Sequence, residues 1–304
     1  MNRTLLTSLG LLAAAGWSMT VAPQQAGASG DDAYASLPAE IELVGIVRDF
    51  RERSVDGGHP DFEMRPDGGF GHFIGYVADQ LDEDGKPVYT GGARKVGNQA
   101  KDADGNAIHP KFVDSSRGDR PATLSDSTYR GGIASAESYA QWFRDVPGVN
   151  VSAPLPITLR RLSGSNVYVF DDRRDEYYQD RGGFFPINNE LFGNSAGDSK
   201  NFHFTFELST EFVYEAGAGQ TFTFRGDDDV LVFVNGEIVI DIGGVHSAVQ
   251  QTVHLDRLDN VVDGEINTLH FFFAERHRTQ SNFRIETTLT LRNAELPSSM
   301  DLFD

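Results

Sequence analysis

Asn235-Gly236 lies between two runs rich in β-branched residues, 230–234 and 237–242, in the stretch GDDDVLVFVNGEIVID. An Asn-Gly pair so flanked is the strongest short-range hairpin signal, because a two-residue type I′ turn needs a left-handed backbone at both central positions. A chain committed to this hairpin is committed to antiparallel sheet, and the rest of its second half agrees. Residues 203–208 alternate with Phe204, Phe206 and Leu208 on one face, and 221–225 repeat the pattern with Phe222 and Phe224. Further short runs fall at 155–160, 167–170, 251–255, 268–274 and 284–291. With no helical periods between them, they indicate an all-β fold, an antiparallel β-sandwich. The 32 glycines and 22 phenylalanines suit many turns around an aromatic core.

The first half has a different texture. Residues 41–47 make the first strand, and 51–129 read as a loop-rich region with short hairpins, punctuated by Asp82-Glu83-Asp84-Gly85 and Asp102-Ala103-Asp104-Gly105. Asp102, Asp104 and Asn106 have the alternate spacing of a calcium loop. Ala107 and Val113 stand where such a loop needs glycine and a bidentate glutamate, so the segment reads as a turn. One helix is expected over 134–146, where Ala136, Tyr139, Ala140, Phe143 and Val146 recur at helical spacing between a Ser135 cap and Pro147-Gly148. Trp142 reads as a packing residue of that helix.

Residues 1–28 have the form of a secretory signal: Arg3, an apolar stretch over 5–17, and Ala26-Gly27-Ala28 as the cleavage site. The apolar stretch is shorter than the roughly 18 residues a membrane span requires. The expected product is secreted, extracellular or at the cell surface, with no membrane span after signal removal. A flexible leader over 29–40, one domain over 41–292 with an elaborated N-terminal half, and a tail over 293–304 complete the organisation. The net charge of −19 makes nucleic acid and anionic lipid poor partners. With no cysteine, an exported chain must rely on core burial or metal rather than disulfides.

The acidic entry to the hairpin is the first place to look for chemistry. Simple pairing about the turn sets Val234 against Glu237, Phe233 against Ile238, Val232 against Val239 and Val230 against Asp241. Asp228 and Asp241 are then diagonal neighbours on one face. With Asp227 and Asp229, four carboxylates crowd one end of the hairpin, and solvent, arginines, raised pKa values or a cation must offset their repulsion. Calcium, which takes six to eight oxygen ligands, suits such a cluster. The alternative is an acidic loop held by backbone N–H groups or paired with Arg225, Arg276 or Arg278. His246 and His277 read as loop-ordering groups or charge partners, with a mixed His/Asp metal site as the other option. Glu275 and Arg276 read as a structural ion pair.

Larger motifs carry a resemblance. Arg225-Gly226-Asp227-Asp228-Asp229-Val230, Asn235-Gly236 and Val239-Ile240-Asp241-Ile242-Gly243-Gly244-Val245-His246 look like the signature of the fibro-slime domain. Asn201-Phe202-His203-Phe204-Thr205-Phe206, Phe272-Phe273-Ala274-Glu275-Arg276-His277 and Ser281-Asn282-Phe283-Arg284-Ile285-Glu286 match too. Looser matches, such as His59-Pro60-Asp61-Phe62-Glu63 and Phe184-Phe185-Pro186-Ile187, extend upstream of the dense region 201–291. That family is similar to the carbohydrate-binding β-sandwich domain named after anthrax protective antigen. The resemblance implies calcium held by two adjacent Asp residues joined through a cis peptide, here Asp227 and Asp228, with Asn282 of a late loop as a further ligand. It also implies supporting or additional roles for Asp229, Asp241 and His246, and a ligand-binding loop containing Arg276, His277 and Ser281. The third Asp and Gly243-Gly244-Val245-His246 depart from the lectin pattern.

No protease, hydrolase, phosphate-loop or cysteine-nucleophile motif is present, so no catalytic residue is assigned. The expectation is a secreted, non-enzymatic module that binds calcium and, through it, an extracellular glycan or matrix polymer. The alternative is a structural component of an extracellular slime or surface layer that packs against other surface proteins without binding sugar.

Overall fold

Phe271-Phe272-Phe273-Ala274 is buried on both faces of its strand, and the two cores it joins organise the molecule. Such an uninterrupted apolar run marks a strand covered on both sides. The computed structural model describes residues 32–294; the expected signal at 1–28, the start of the leader and the tail from 295 lie outside the described residues.

In chain order the elements are β1 (Glu40–Phe50), β2 (Phe73–Ile74), β3 (Ala93–Asn98), β4 (Thr123–Tyr129), α1 (Ala136–Tyr139), β5 (Asn150–Arg161) and β6 (Tyr168–Asp171). There follow α2 (Glu176–Gln179), β7 (Phe204–Val213), β8 (Thr221–Gly226), β9 (Asp229–Val234), β10 (Glu237–Ile242), β11 (Val249–His254), β12 (Ile266–Glu275), β13 (Phe283–Thr287) and β14 (Arg292–Asn293). One large antiparallel sheet runs β10-β9-β12-β7-β1-β5-β6-β13-β8-β11, with β14 added to β7. It folds over on itself as a sandwich approaching a barrel, as the alternating second half predicts. Gln251 on β11 joins the ends of that order: its side chain accepts from Asp241 N–H at 2.9 Å and donates to the Asp241 carbonyl at 3.2 Å on β10.

The main core lies between the layers, where Phe204, Phe206, Phe224, Phe271, Phe273 and Phe283 interlock. Burying each such ring contributes about 1.5–3 kcal/mol. The second core lies on the outer face of β9, β10 and β12, where Leu231, Phe233, Ile238 and Phe272 meet Phe73, Tyr76, Tyr139 and Trp142 of the N-terminal half. That half contains a separate small sheet, β2-β3-β4, and it positions the site by lying over the hairpin.

Three expectations are corrected. Asn235 and Gly236 do take positive φ (49° and 81°), so the turn is as expected, but the ladder beyond it is not. Ile238 pairs with Phe233, then Ile240 rather than Val239 pairs with Val232, and Asp241 meets Leu231. Val239 is the extra residue of a β-bulge, and Val239 and Ile240 both enter the main core. The slip moves Asp241 to the face of Leu231 and Asp229, away from Asp228.

The helix at 134–146 is also shorter than its periodicity suggests. Ser135 caps it through a capping box, but only 136–139 are helical. Asn150 Nδ2 takes the carbonyls of Gln141 and Arg144, and Thr205 Oγ1 takes that of Trp142, so acceptors that a longer helix would use are bound elsewhere. Trp142 itself is a packing residue, fully buried, with its indole N–H on Asp61. Finally, Glu275 and Arg276 do not pair: adjacent strand residues point to opposite faces, and each finds a different environment.

Candidate functional site

The acidic run sits where β8 ends and β9 begins. Asp227, Asp228, Asp229 and Asp241 are each at most 3% exposed, and Glu275 is fully buried. Five carboxyl groups thus leave water near one buried guanidinium, that of Arg276, 1% exposed. How the arginine is spent decides the chemistry of the rest.

Asp229 takes it. Arg276 Nε donates to Asp229 Oδ2 and Nη2 to Oδ1 at 3.2 Å, while its remaining N–H groups reach the carbonyls of Gly131 and Gly132 at 2.7 and 2.9 Å. Asp229 Oδ1 also accepts from the Tyr76 hydroxyl at 3.1 Å and Gly244 N–H at 2.6 Å. Burial opposes the charge on Arg276, yet Asp229 beside it holds its pKa up. Gly243 and Gly244 follow from this packing. A Cβ on Gly243 would lie 1.9 Å from the Tyr76 ring, and Gly244 reaches Asp229 with φ of 92°, which side chains resist.

Asp241 is satisfied from the N-terminal half by Gly75 N–H at 2.7 Å on Oδ2, whereas Oδ1 has no partner. Burial raises its pKa to about 7. The bulge thus brings Asp241 beside Asp229, behind the hairpin, rather than beside Asp228.

Asp227 and Asp228 remain, and their peptide bond is cis, the geometry that the resemblance implies. Asn282 grips Asp227 twice, N–H to Oδ1 at 2.6 Å and Nδ2 to Oδ2 at 2.7 Å. The Asn282 side-chain oxygen Oδ1 accepts from Arg173 Nη2 at 2.6 Å, so in this state Asn282 presents its donors to Asp227. Asp228 has only two long backbone bonds, from His246 N–H at 3.3 Å and Arg276 N–H at 3.4 Å. Burial pushes Asp227 up to about 6 and Asp228 well above the usual carboxylate range, the latter also under the field of Asp229.

Glu275 is the residue whose role sequence reasoning missed. The β9–β12 register pairs Ala274 with Asp229, so Glu275 stands level with Asp228. Neither of its carboxyl oxygens has a partner, and the Ser281 hydroxyl, also buried, has none. Burial and the fields of Asp228 and Asp227 raise its pKa strongly.

Asp227 and Asp228 line an open recess of about 330 Å³ whose walls include Phe70, His246, His277 and Gln280. Phe70 is 49% exposed, and His277 stands edge-on to it with ring centroids 5.1 Å apart. His246 bonds Ser247 carbonyl through Nδ1 at 3.0 Å, and burial lowers its pKa to about 4. His277 likewise bonds the Arg278 carbonyl through Nδ1 at 3.0 Å, while the buried His246 Nε2 has no partner.

Glu52, Glu63 and His203 form a group with ligand atoms within 4.8 Å of one another. Arg278 already pairs with Glu52 at 2.5 Å and with Glu63 at 3.6 Å, and His277 reaches Glu63 at 3.4 Å. Those carboxylates are already engaged by side chains, and the network fastens the late loop that forms one wall of the recess. Asp102 is likewise spent, on Asn106 and His254, as a turn requires.

No protein-family model matches the chain. It is 37% identical over 167 residues to the protein psiR of Dictyostelium discoideum, covering 53% of this chain and 16% of psiR. With psiD of the same organism the identity is 36% over 179 residues, 57% of this chain and 32% of psiD. The match to psiN is longer, 30% identical over 277 residues, covering 86% of this chain and 32% of psiN. The chain thus spans at most about a third of these relatives. Likeness to solved structures is slight: a β-glucosidase of Kluyveromyces marxianus in complex with glucose superposes with a TM-score of 0.19 at 13% identity, over 31% of this chain and 11% of that one.

Proposed function

We propose that the chain is a secreted, non-enzymatic module of the fibro-slime type that binds calcium at Asp227 and Asp228 and engages an extracellular glycan or matrix polymer above it. The observation that carries this reading is the division of charge. The buried arginine beside the cluster is spent on Asp229, which leaves Asp227 and Asp228 desolvated, side by side and open to a recess. Oxygen donors without a balancing cation are the set a hard divalent ion takes. Asp227 and Asp228 would hold the ion, with Glu275 as a third negative group behind them and Asn282 at the edge. The ion would supply a Lewis-acidic centre for sugar hydroxyls, and the exposed Phe70 ring an apolar surface beside it. Among the described residues no helix is long and apolar enough to cross a membrane.

Calorimetric titration of calcium into the protein and into Asp228→Ala tests the reading. Saturable heat in the first and none in the second is expected; equal heats, or none in either, would sink it.

A second reading, a packing component of a surface layer, draws on one feature. Val213 and Ile266 are direct cross-strand partners and are 44% and 57% exposed. Concentration-dependent self-association abolished by Ile266→Lys, with no response on a glycan array in calcium, would favour it.

A further inference from the structure

The outer face of β13, β8 and β11 holds a second recess, of about 440 Å³, distinct from the acidic pocket. Its floor is ordered by strand register. Asp171, Arg284, Arg225 and Gln250 stand in one row across four strands, and Glu286, Thr223 and Thr252 fall in the next. Their inward neighbours Phe222, Phe224 and Ile285 belong to the main core, so this face points away from it.

Arg284 and Arg225 are direct cross-strand partners. Like charges so placed destabilise a sheet. Arg284 is neutralised, with Nη1 on Asp171 at 2.6 Å and Nη2 on Glu286. His254 is likewise engaged, on Asp102 at 2.9 Å. Arg225 is left over: its guanidinium has no hydrogen bond or ion pair among the described residues, although it is only half exposed and lines the recess. Thr223 and Thr252 hydroxyls bond each other at 2.9 Å on the floor, and Asn106 closes one wall. No aliphatic or aromatic carbon side chain of the Phe, Tyr, Trp or Leu kind lines the space.

We propose that this recess binds an acidic sugar, with the free fork of Arg225 taking its carboxylate or sulfate and the threonine, glutamine and asparagine side chains meeting its hydroxyls. A planar guanidinium with open N–H donors is matched to such oxyanions. Without a Phe, Tyr or Trp platform, a neutral sugar finds little here to stack on. The net charge of −19 repels a long polyanion, so the site suits an isolated or terminal acidic residue of a glycan. The site needs no calcium, which separates it from the proposal for Asp227 and Asp228.

The test is calorimetry in EDTA with trigalacturonate, a sulfated chondroitin disaccharide and neutral galactotriose. The protein should bind at least one acidic oligosaccharide and not the neutral one, the two acidic arms deciding between carboxylate and sulfate. Arg225→Gln should weaken binding by about tenfold or more and Arg225→Lys by less. Arg117→Gln, which removes an equal charge elsewhere, and Asp228→Asn should leave it unchanged. Because Arg225→Gln removes a like-charge pair, its melting temperature should not fall. Absence of binding to both acidic sugars overturns the proposal. So does Arg225→Gln binding as the unaltered protein does, an equal loss in Arg117→Gln, or a loss in Asp228→Asn.

Discussion

Arg276 meets Asp229 at two points in the interior, Nε to Oδ2 and Nη2 to Oδ1, and so spends its guanidinium hydrogen bonds there rather than on Asp228 one residue away. Three consecutive aspartates thereby acquire different jobs: Asp229 belongs to the framework, and Asp227 and Asp228 to the recess.

The first prediction follows from that division. Asp229→Ala strands a buried guanidinium and removes the acceptor of Tyr76 and Gly244, and should cost about 3–5 kcal/mol. Asp228→Asn removes a buried carboxyl that has only long backbone bonds, and should raise stability in EDTA by about 1–2 kcal/mol while abolishing any calcium-induced gain. Denaturant titrations with and without calcium read both effects.

Arg173 holds the Asn282 side-chain oxygen Oδ1 and places positive charge near Asp227. Arg173→Ala frees that oxygen and removes a competing cation, so calcium affinity should rise by about two- to fivefold. A titration showing equal or weaker affinity would contradict the assignment of Asn282 to the ion.

Gly243 is fixed by the ring it touches. Gly243→Ala, with its Cβ 1.9 Å from Tyr76 Cε1, should cost about 1–3 kcal/mol through overpacking. Adding Tyr76→Leu should recover part of that loss, because contacting residues couple in a double-mutant cycle. Purely additive losses would show that the contact is not the cause.

His109 gives a pH dependence remote from the acidic recess. It is 9% exposed, caps a turn through Nδ1, and burial lowers its pKa to about 4. The unfolded state, titrating at the ordinary value of 6.5, binds a proton first as pH falls. Stability from this group is therefore full above 6.5 and lost down to about 4, on the order of 3 kcal/mol in all. His109→Gln should remove that component from the stability curve between pH 7 and pH 4.

Much of this architecture was legible because strands announce themselves locally: the Asn-Gly turn, the alternating phenylalanines and the doubly apolar β12 are short-range signals. The bulge at Val239 was not. It shifts Asp241 by one residue and hence to the other face, on an edge where the distant Asp79 carbonyl takes Ile238 N–H at 2.9 Å. Phe70, Arg173 and Glu275 were missed for a related reason. Their meaning depends on which distant residues the topology brings beside them, and Glu275 beside Arg276 looks like half of an ion pair until strand alternation separates the two. The Asp227–Asp228 pair was named through the family resemblance, whereas strand parity alone had pointed to Asp228 and Asp241. Asn282 could be placed beside it, but not the direction of its amide.

The ends of the strand order bear on how copies of this protein can meet. On β10, Ile238 N–H is taken by Asp79, Gly243 exchanges bonds with Phe73, and Asp241 is bridged by Gln251; on β11, Thr252 N–H is taken by Ala107. Among the described residues the outer edge of β10 is thus largely taken up, and that of β11 is taken at Thr252, which leaves a neighbouring chain little ladder to extend at β10. A neighbouring copy that met β10 would therefore be held there through side-chain surfaces, with specificity written in charge and shape, and could be released by point substitutions at those surfaces without disturbing the main-chain bonds of that edge.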